Sequence, residues 1–587
     1  MVNSSLEPSL CVHLNPAKTY LWAMSIHYQL STYLSHQHFI AIELSFTLAE
    51  PQDVELVLPA WRPGRYELAE YAMNMKHVEV SHSDSEALGL NKSSRNVWYI
   101  ENCPAGEVKV NYLYYANALN GGSCFTKEDV LYVNPVNCCL FVKGMESVEH
   151  ILDLDIPSDF KVKGMLPFRK NRMKAKNADE LFDSPFVAAR EVLSIESEVS
   201  GVKTSIVFQG NIPTPPKDLE KTFKAFMRQQ IRAFGGCPVD QYTYLILATP
   251  HRYYHGVEHD RGTVIALGPD LNLFRGSVYT DLLGVSSHEF YHTWNVKYMR
   301  PKEMWPYDFE RENYHRIGYI IEGITTYQGD VKLWQSKVFS DRQFLDELTT
   351  HLNRHQTNMG RKHLSVRESS MDLWVDGYKQ GMPDRKVSIY TEGALIALLM
   401  ELMVIQATEG KSTLDDVMAS LYLFCQEKGR GYAETDFLNI LSIYIGEAAC
   451  KRFFKDSIDR AGSLHNKVIK ALKTVGVNVK MNTEDRWASA YGLKFSSDAR
   501  PKVTHVHPSS EAYEQGVRLG MELLAVNNYL VESDLDVKDV KDEVKLHLKE
   551  GKILIEKKLK ASEKLLYIQF ELSREAGNNA YWEAWKG

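Results

Sequence analysis

His288, Glu289 and His292 form a His-Glu-x-x-His pattern, and its residue types and spacing suit metal-assisted hydrolysis. Residues four apart lie on one face of an α-helix, so both imidazoles can bind the same ion. Glu289 lies beside the first ligand, where it can take a proton from water at the metal. A catalytic zinc usually has three protein ligands and one open position. The pattern therefore predicts a zinc helix and requires a third ligand from elsewhere in the chain.

Glu322 is the best candidate for this third ligand. It lies in the apolar run 320–324, where an unpaired charge would be costly. Gly323 beside it would let the Glu322 helix and the zinc helix approach closely. An ordinary helical carboxylate is the alternative interpretation of Glu322 taken alone.

The composition is that of a soluble globular protein with several domains. The chain has 587 residues, of which 44% are hydrophobic and 24% charged, and its formal net charge is −7. No polybasic tail is visible, so we expect no nucleic-acid partner. We also expect no secretory signal and no membrane span, because the most apolar segment, 394–400, soon meets Glu401 and suits a buried helix. The eight cysteines contain no Cys-x-x-Cys pair, which favours reduced thiols and a cytoplasmic location.

Three sequence patterns divide the chain and predict a multidomain α+β protein. Residues 1–200 alternate apolar and polar positions between turn signals, which predicts a β-rich domain. Residues 201–482 read as a small sheet followed by helices around the zinc helix, the order of a thermolysin-like zinc peptidase domain. Within this sheet, the edge of the strand at 262–267 could pair with an extended peptide. Residues 483–580 contain short strands and form a third region.

The third region resembles a PDZ domain. From Ala512 to Asn528 it reads Ala-Tyr-Glu-Gln-Gly-Val-Arg-Leu-Gly-Met-Glu-Leu-Leu-Ala-Val-Asn-Asn. The usual PDZ segment is Ala-x-x-x-Gly-Leu-x-x-Gly-Asp-x-Ile-x-x-Val-Asn-Gly, so Met521 and Glu522 replace the Asp neighbourhood and Asn528 replaces the last Gly. The resemblance implies a module that binds a chain terminus, a neighbouring domain or the far end of a substrate.

Three longer motifs resemble those of the glycyl aminopeptidase family of zinc peptidases. His288-Glu-Phe-Tyr-His-Thr-Trp-Asn-Val-Lys-Tyr-Met-Arg-Pro is similar to the family's zinc helix, which continues with Trp-Asn-x-Lys-x-x-Arg-Pro. Glu322-Gly-Ile-Thr-Thr-Tyr resembles its Glu-Gly-x-Thr-x-Tyr, where the Glu is the third ligand. Leu58-Pro-Ala-Trp-Arg-Pro-Gly-Arg-Tyr resembles its N-terminal signature Pro-x-Trp-x-Pro-Gly-x-Tyr. The resemblance implies an aminopeptidase with one Zn²⁺ ion and a preference for small N-terminal residues such as Gly or Ala.

A fourth motif implies where the substrate binds. His255-Gly-Val-Glu-His resembles the family's Gly-Gly-x-Glu-His, in which the Glu binds the free α-amino group. The implied substrate-binding residues are Gly256, Val257 and Glu258, with His255 in place of the first Gly. A carboxylate at the closed end of a cleft also favours an ammonium group and rejects a blocked terminus.

A fifth motif implies a second catalytic residue, Tyr390. It lies in Ser-Ile-Tyr-Thr-Glu-Gly, which resembles the Tyr-x-Lys-Gly of this family with Glu392 in place of the Lys. In the family this Tyr donates a hydrogen bond to the oxyanion, which a neutral phenol can do. The alternative is a Tyr that only packs at the start of a buried helix.

The predicted function is zinc-dependent hydrolysis of the N-terminal bond of a peptide with a free α-amino group. One alternative is an endopeptidase that uses the same zinc site. Another is a catalytically silent peptide-binding protein that acts through the PDZ-like region. The three ligands and the base favour an enzyme, and Glu258 favours an aminopeptidase.

Overall fold

The N-terminal region is built from three sheets that share one apolar core. The computed structural model describes residues 25–83, 88–379, 381–482, 486–498, 500–531 and 542–587. Strand Phe39–Leu48 shows why these residues form sheets, because Ile42, Leu44 and Phe46 alternate into the core as predicted. In spatial order the three sheets are Arg172–Ala175, Glu149–Asp155, Ser25–Ser31, Phe39–Leu48, Gly106–Tyr115 and Met75–His82; Phe141–Val142, Gln52–Val57, Val97–Cys103 and Asn91–Lys92; and Lys161–Gly164, Phe186–Ala189, Val130–Val133 and Phe125–Lys127.

A five-stranded sheet opens the catalytic region. Its strands in spatial order are Leu193–Val199, Val202–Gln209, Gln241–Ala248, Gly262–Gly268 and Tyr253–His259. The sheet therefore begins a few residues before the predicted boundary at 201. The prediction that 262–267 offers a free edge is wrong, because Gly262–Gly268 lies between two paired strands and Tyr253–His259 forms the edge.

Helices make up most of the remaining catalytic region and surround a large apolar core. The α-helices of the described chain are Pro135–Cys138, Ala178–Phe182, Leu219–Ala233, Gly276–Tyr291, Thr325–Gln335, Asp341–Thr357, Val366–Met371, Leu373–Asp376, Ile389–Ala407, Leu414–Lys428, Glu434–Ile445, Glu447–Phe453, His465–Thr474, Arg486–Tyr491, Glu511–Glu514 and Ala580–Lys586. Short π-helical turns occur at Thr293–Tyr298, Tyr319–Ile324 and Phe454–Ile458.

The helix Ile389–Ala407 lies at the centre of this core. Its length and composition would let it cross a membrane, and it is the single helix of the described ranges that passes that test. However, 83% of its most apolar window is buried inside the protein. The apolar segment at 394–400 is thus part of a buried core helix, as predicted.

The third region is inserted between two paired strands of the catalytic region. Val477–Asn482 leads out, and Gln569–Arg574 returns antiparallel to it, with Asn482 opposite Gln569. Between them lies a small module with its own apolar core and a sheet ordered Tyr529–Leu530, Glu522–Val526, Glu543–Glu550 and Ile553–Lys560, beside the hairpin Leu493–Phe495 and Val503–Val506. The returning strand, which the prediction had included in residues 483–580, packs with the catalytic helices.

The helix Ala580–Lys586 closes the catalytic core with two buried tryptophans. Trp585 packs against Trp334 with ring centroids 5.3 Å apart, and its indole N–H donates to the Tyr327 hydroxyl at 2.7 Å. Trp582 packs on the same Trp334 ring at 5.0 Å. Apolar burial of this kind contributes several kcal/mol for each ring.

We expect Trp585→Ala to lower the free energy of unfolding by about 3–5 kcal/mol, because it leaves a cavity and removes the partner of the Tyr327 hydroxyl. Urea denaturation followed by circular dichroism measures the change. Trp305→Ala is the matched control: Trp305 is 46% exposed, so its loss should cost at most about 1 kcal/mol. Equal losses for the two variants would contradict the described packing.

Candidate active site

The helix Gly276–Tyr291 carries His288 and Glu289 in its last turn, and His292 follows directly. The backbone of this turn is held from two sides. The Ser287 hydroxyl donates to the Gly329 carbonyl at 2.7 Å, and the Gln230 amide donates to the Ser287 carbonyl at 2.9 Å. Gly329 permits this packing, since a Cβ there would lie 3.1 Å from the His288 backbone. The motif is therefore fixed in place by neighbouring helices.

His288, His292 and Glu322 converge on one point. The two His Nε2 atoms are 3.0 Å apart, and Glu322 Oε2 lies 3.6 Å from His288 Nε2 and 3.3 Å from His292 Nε2. Tetrahedral zinc with bonds of about 2.0–2.1 Å would place neighbouring donor atoms about 3.3 Å apart. The donor set and its spacing thus fit one zinc ion, as the sequence predicts.

Asn295 orients the second His and links the two ligand-bearing helices. Its carbonyl lies 2.7 Å from His292 Nδ1, which leaves Nε2 free to bind a metal. Its side-chain amide donates to the Ile320 carbonyl at 2.8 Å and the Thr325 hydroxyl at 3.1 Å. The chain breaks from helical geometry at Asn295, with φ −97° and ψ 73°, which makes these contacts possible. Sequence reasoning had included Asn295 in the extended motif without a role.

Glu322 lies in the π-helical turn Tyr319–Ile324 that leads into Thr325–Gln335. Gly323 was predicted to let this helix approach the zinc helix, and that detail is wrong. Gly323 instead packs on Gly393 of the helix Ile389–Ala407, where a Cβ would lie 2.4 Å from the Gly393 Cα. The close approach to the zinc helix is made at Gly329.

Two of the three donors, His292 and Glu322, are buried, and His288 is partly exposed. Burial alone would raise the pKa of Glu322, but the neighbouring His292 and His288 hold that pKa at about 2. Burial would lower the pKa of His292, and the carboxylates of Glu322, Glu258 and Glu289 raise it to about 10. Glu322 therefore stays a carboxylate, and the raised pKa of His292 shows that the surrounding carboxylates favour positive charge beside them, which is the property that a cation site needs. Burial lowers the pKa of His288, which favours the neutral imidazole that binds a metal.

Glu289 lies next to these ligands in a tightly packed, buried setting. Its Oε1 would lie 2.1 Å from a Cβ on Gly256, so only glycine fits opposite it. Its Oε2 is buried and has no hydrogen-bond partner within the described part of the chain. Burial raises the pKa of Glu289 to about 8, which suits a carboxylate that must exchange protons near neutral pH.

Glu258 joins the same site from the edge strand. The ligand atoms of Glu258, Glu289 and His292 all lie within 4.8 Å of one another. The N-terminal region closes the site on this side, because a Cβ on Gly64 would lie 2.4 Å from Glu258 Oε2. Gly256 borders Glu289, and Val257 points to the other face of the strand and is fully buried. The structure thus brings Glu258 and Gly256 of the predicted substrate-binding residues to the site and turns the Val257 side chain away from it.

The loop that contains Gly64 is part of the N-terminal signature, for which sequence reasoning gave no role in the site. Trp61 anchors this loop in the catalytic region, with its indole N–H 2.6 Å from the Asp308 carbonyl. Tyr66 is fully buried, and its hydroxyl has no hydrogen-bond partner among the described residues. Burial raises the pKa of Tyr66, and the charges of Glu322 and Glu258 raise it further. The signature could have indicated these contacts, because Gly and Tyr at fixed spacing suggest a constrained loop.

Tyr390 lies on the other side of His288, with ring centroids 6.4 Å apart. Burial, followed by the charge of Glu322, raises the pKa of Tyr390 well above its usual value, so it stays a hydrogen-bond donor. Tyr378 contacts it, and no sequence signal had indicated that residue. Glu392, the departure from the resembled motif, forms a hydrogen bond with His355 Nδ1 at 2.6 Å.

Comparisons with known proteins find two matching family models and several similar solved structures. The family described as M61 glycyl aminopeptidase matches residues 281–396, and the peptidase M61 N-terminal domain matches residues 27–190. A crystal structure of an aminopeptidase N family protein from Idiomarina loihiensis has a TM-score of 0.89 and 25% identity, covering 96% of this chain and all of that one. An M1 zinc metallopeptidase mutant from Deinococcus radiodurans, bound to a Tyr-Ser-Ala substrate, has a TM-score of 0.47 and 12% identity, covering 75% of this chain and 94% of that one. No curated protein has a significant match.

Proposed function

The chain belongs to the M61 glycyl aminopeptidase family of zinc peptidases, and on that basis we propose that it removes single N-terminal residues from peptides with a free α-amino group, with a preference for Gly and Ala. The observation that carries this proposal is the position of Glu258. Its carboxylate lies beside Glu289 and His292 at an end of the site that Gly64 closes. A peptide that places its ammonium group there has its first peptide bond near the metal ligands.

Each side chain then has one task. His288, His292 and Glu322 would hold the zinc, which when bound lowers the pKa of water toward about 7 and polarises a carbonyl. Glu289 takes the proton of the attacking water and passes it to the leaving amine. Tyr390 donates a hydrogen bond to the developing oxyanion, and Glu258 pairs with the α-ammonium group.

Three features support the preference for small residues. Val257 has no exposed surface, and a Cβ on Gly121 would lie only 3.1 Å from Val257 Cγ2. Gly256 is closed off by Glu289 on the other face of the strand. Little room is therefore left beside Glu258 for an apolar side chain of the first residue.

The test compares Ala-Ala-Phe amide with its N-acetylated form. We expect acetylation to lower kcat/KM by about 100-fold or more, because it removes the charge that Glu258 binds. Glu258→Gln should lower kcat/KM for the free peptide, so that the kcat/KM values of the free and acetylated peptides become similar. Equal cleavage of both forms by the unchanged enzyme would instead identify an endopeptidase.

Metal analysis of the same protein preparation tests the alternative of a catalytically silent peptide-binding protein. Metal analysis that finds no zinc, together with retained peptide binding, would favour it. The assembled three-donor site and the adjoining Glu289 support the enzyme.

A further inference from the structure

A cavity of about 1380 Å³ lies between the catalytic helices and the inserted module, apart from the three zinc ligands. One wall is formed by the end of the helix Asp341–Thr357 and by residues 381–386, which precede the helix Ile389–Ala407. The module forms the other wall, mainly through the hairpin Leu493–Phe495 and Val503–Val506. Small-molecule sites usually measure about 300–1,000 Å³, so this cavity has room for a segment of a peptide.

Cations outnumber carboxylates in the lining of this cavity. Six Lys or Arg side chains and two Asp side chains line it, namely Arg354, Lys379, Arg385, Lys386, Lys494, Arg518, Asp376 and Asp384. Four of the cations pair with carboxylates, namely Lys379, Arg385, Lys386 and Arg518. Arg354 is exposed, and within the part of the chain that the structure describes no carboxylate lies within 4 Å of its guanidinium. Its charge is therefore available to an anion that enters the cavity.

Lys494 brings a cation from the module to the same cavity. Its Nζ donates to the Thr357 hydroxyl at 2.9 Å, across the junction between the two walls, and lies 5.0 Å from the centre of the Tyr567 ring. Burial, then the charge of Lys494, lowers the pKa of His505 in the module wall, and Asp384 opposes this only in part. The cations thus have more influence than Asp384 at this wall, which favours a negatively charged ligand.

The edge strand Tyr253–His259 leads from the zinc site along the zinc helix. Glu258 lies beside Glu289, and a Cβ on Gly256 would touch Glu289 and Val285, one helical turn earlier. The strand is the outermost of its sheet, so its free edge can pair with an extended peptide. A peptide that is anchored at Glu258 and follows this edge therefore runs toward the N-terminal end of the zinc helix.

The cavity begins close to that end of the zinc helix. Asp281 lies two turns before His288, which is about 10 Å along the helix. Burial raises the pKa of Asp281, and neighbouring arginines, among them the cavity residue Arg354, oppose that rise. On the other side, the cavity residue Lys386 is four residues before Tyr390, a span of at most about 14 Å. An extended peptide advances about 3.3 Å per residue, so three to four residues beyond the first bond reach the cavity.

We propose that this cavity binds the C-terminal carboxylate of the substrate, so that the enzyme favours peptides that are long enough, at about five residues, to place a free C-terminus there. The inference rests on the proposed function, because it assigns the far end of the same substrate. Glu258 holds the α-ammonium group at one end, and Arg354 and Lys494 hold the carboxylate at the other. The inserted module then serves as the second wall of the substrate cleft.

The zinc-loaded full-length protein is assayed with Ala-Ala-Ala-Ala-Phe as the free acid and as the C-terminal amide. The two peptides have the same length and differ in the charge of the far end. We expect kcat/KM for the acid to exceed that for the amide by about tenfold or more, as a charge-assisted hydrogen bond predicts. For Ala-Phe and its amide the ratio should be about one, because the dipeptide is too short to reach the cavity. In Arg354→Gln and Lys494→Gln the pentapeptide ratio should fall toward one.

Arg342→Gln and Lys558→Gln are the matched controls, because each removes an exposed cation from the same helix or the same module without lining the cavity. Their pentapeptide ratios should equal that of the unchanged enzyme. Equal cleavage of the two pentapeptides, or an equal preference for the acid in the dipeptide, would overturn the inference and leave the proposed function intact.

Absence of any hydrolysis would overturn the proposed function. In that case calorimetric binding of the acid and amide pentapeptides to the full-length protein decides the role of the cavity. Tighter binding of the acid that is lost in Arg354→Gln supports the carboxylate site, and equal binding of the two peptides refutes it.

Discussion

Replacement of Glu289 by Gln is expected to lower kcat/KM on Ala p-nitroanilide by about 10²- to 10⁴-fold, the usual contribution of a general base. The amide has nearly the same shape, so it fits against Gly256, but it cannot take a proton from water. The zinc content should stay at one ion per chain, because Glu289 is not one of the three converging donors. Steady-state kinetics and metal analysis on the same sample measure both quantities.

The matched control for this variant is Glu303→Gln, which makes the same chemical change at an exposed position of the same region. Its kcat/KM and its zinc content should both equal those of the unchanged enzyme. A Glu289→Gln enzyme that retained full activity would show that another group takes the proton. Loss of zinc in that variant would show that Glu289 belongs to the ligand set.

Loss of Glu322 is expected to have the second large effect, on zinc affinity. Glu322→Ala removes one of three donors and the negative charge that the two His side chains face. Loss of a residue that only hydrogen-bonds a metal ligand typically lowers metal affinity by about 10- to 100-fold. Loss of Glu322 itself should lower the zinc affinity by more than this, and activity should fall with it. Competition with a chromophoric chelator measures the affinity, and thermal unfolding in chelator checks that the fold is retained.

Glu322→Gln keeps the shape of the side chain but replaces the carboxylate donor with an amide oxygen. An amide oxygen is a weaker ligand than a carboxylate, so we expect an intermediate zinc affinity between those of the Ala variant and the unchanged protein. Unchanged zinc affinity in both variants would contradict the assignment of Glu322 as the third ligand.

Local sequence patterns were sufficient to predict the ligand-bearing elements. The spacing of His288 and His292 placed both on one helical face, and an apolar run around Glu322 indicated a carboxylate that needs compensation. These features could be predicted because each depends on residues within one or two helical turns. The alternation at Ile42, Leu44 and Phe46 was likewise sufficient for the β-rich region.

Contacts between distant segments could not be predicted in the same way. The edge strand Tyr253–His259 lacks a clear alternation and contains Gly256, so tertiary context rather than propensity makes it a strand. The approach of Gly64 to Glu258 joins segments about two hundred residues apart, and no local pattern encodes it. The pairing of Val477–Asn482 with Gln569–Arg574 likewise joins two segments that are far apart in the sequence, with the whole module between them.

The pairing of these two strands has a consequence for how the protein responds to proteolytic cleavage. The module has two connections to the catalytic region, and they run side by side as an antiparallel ribbon. If a protease cleaved an exposed loop of the module, the C-terminal fragment would still be held by the ribbon and by the buried Trp582 and Trp585. A nicked molecule would therefore migrate as two fragments in denaturing gels and as one particle in gel filtration.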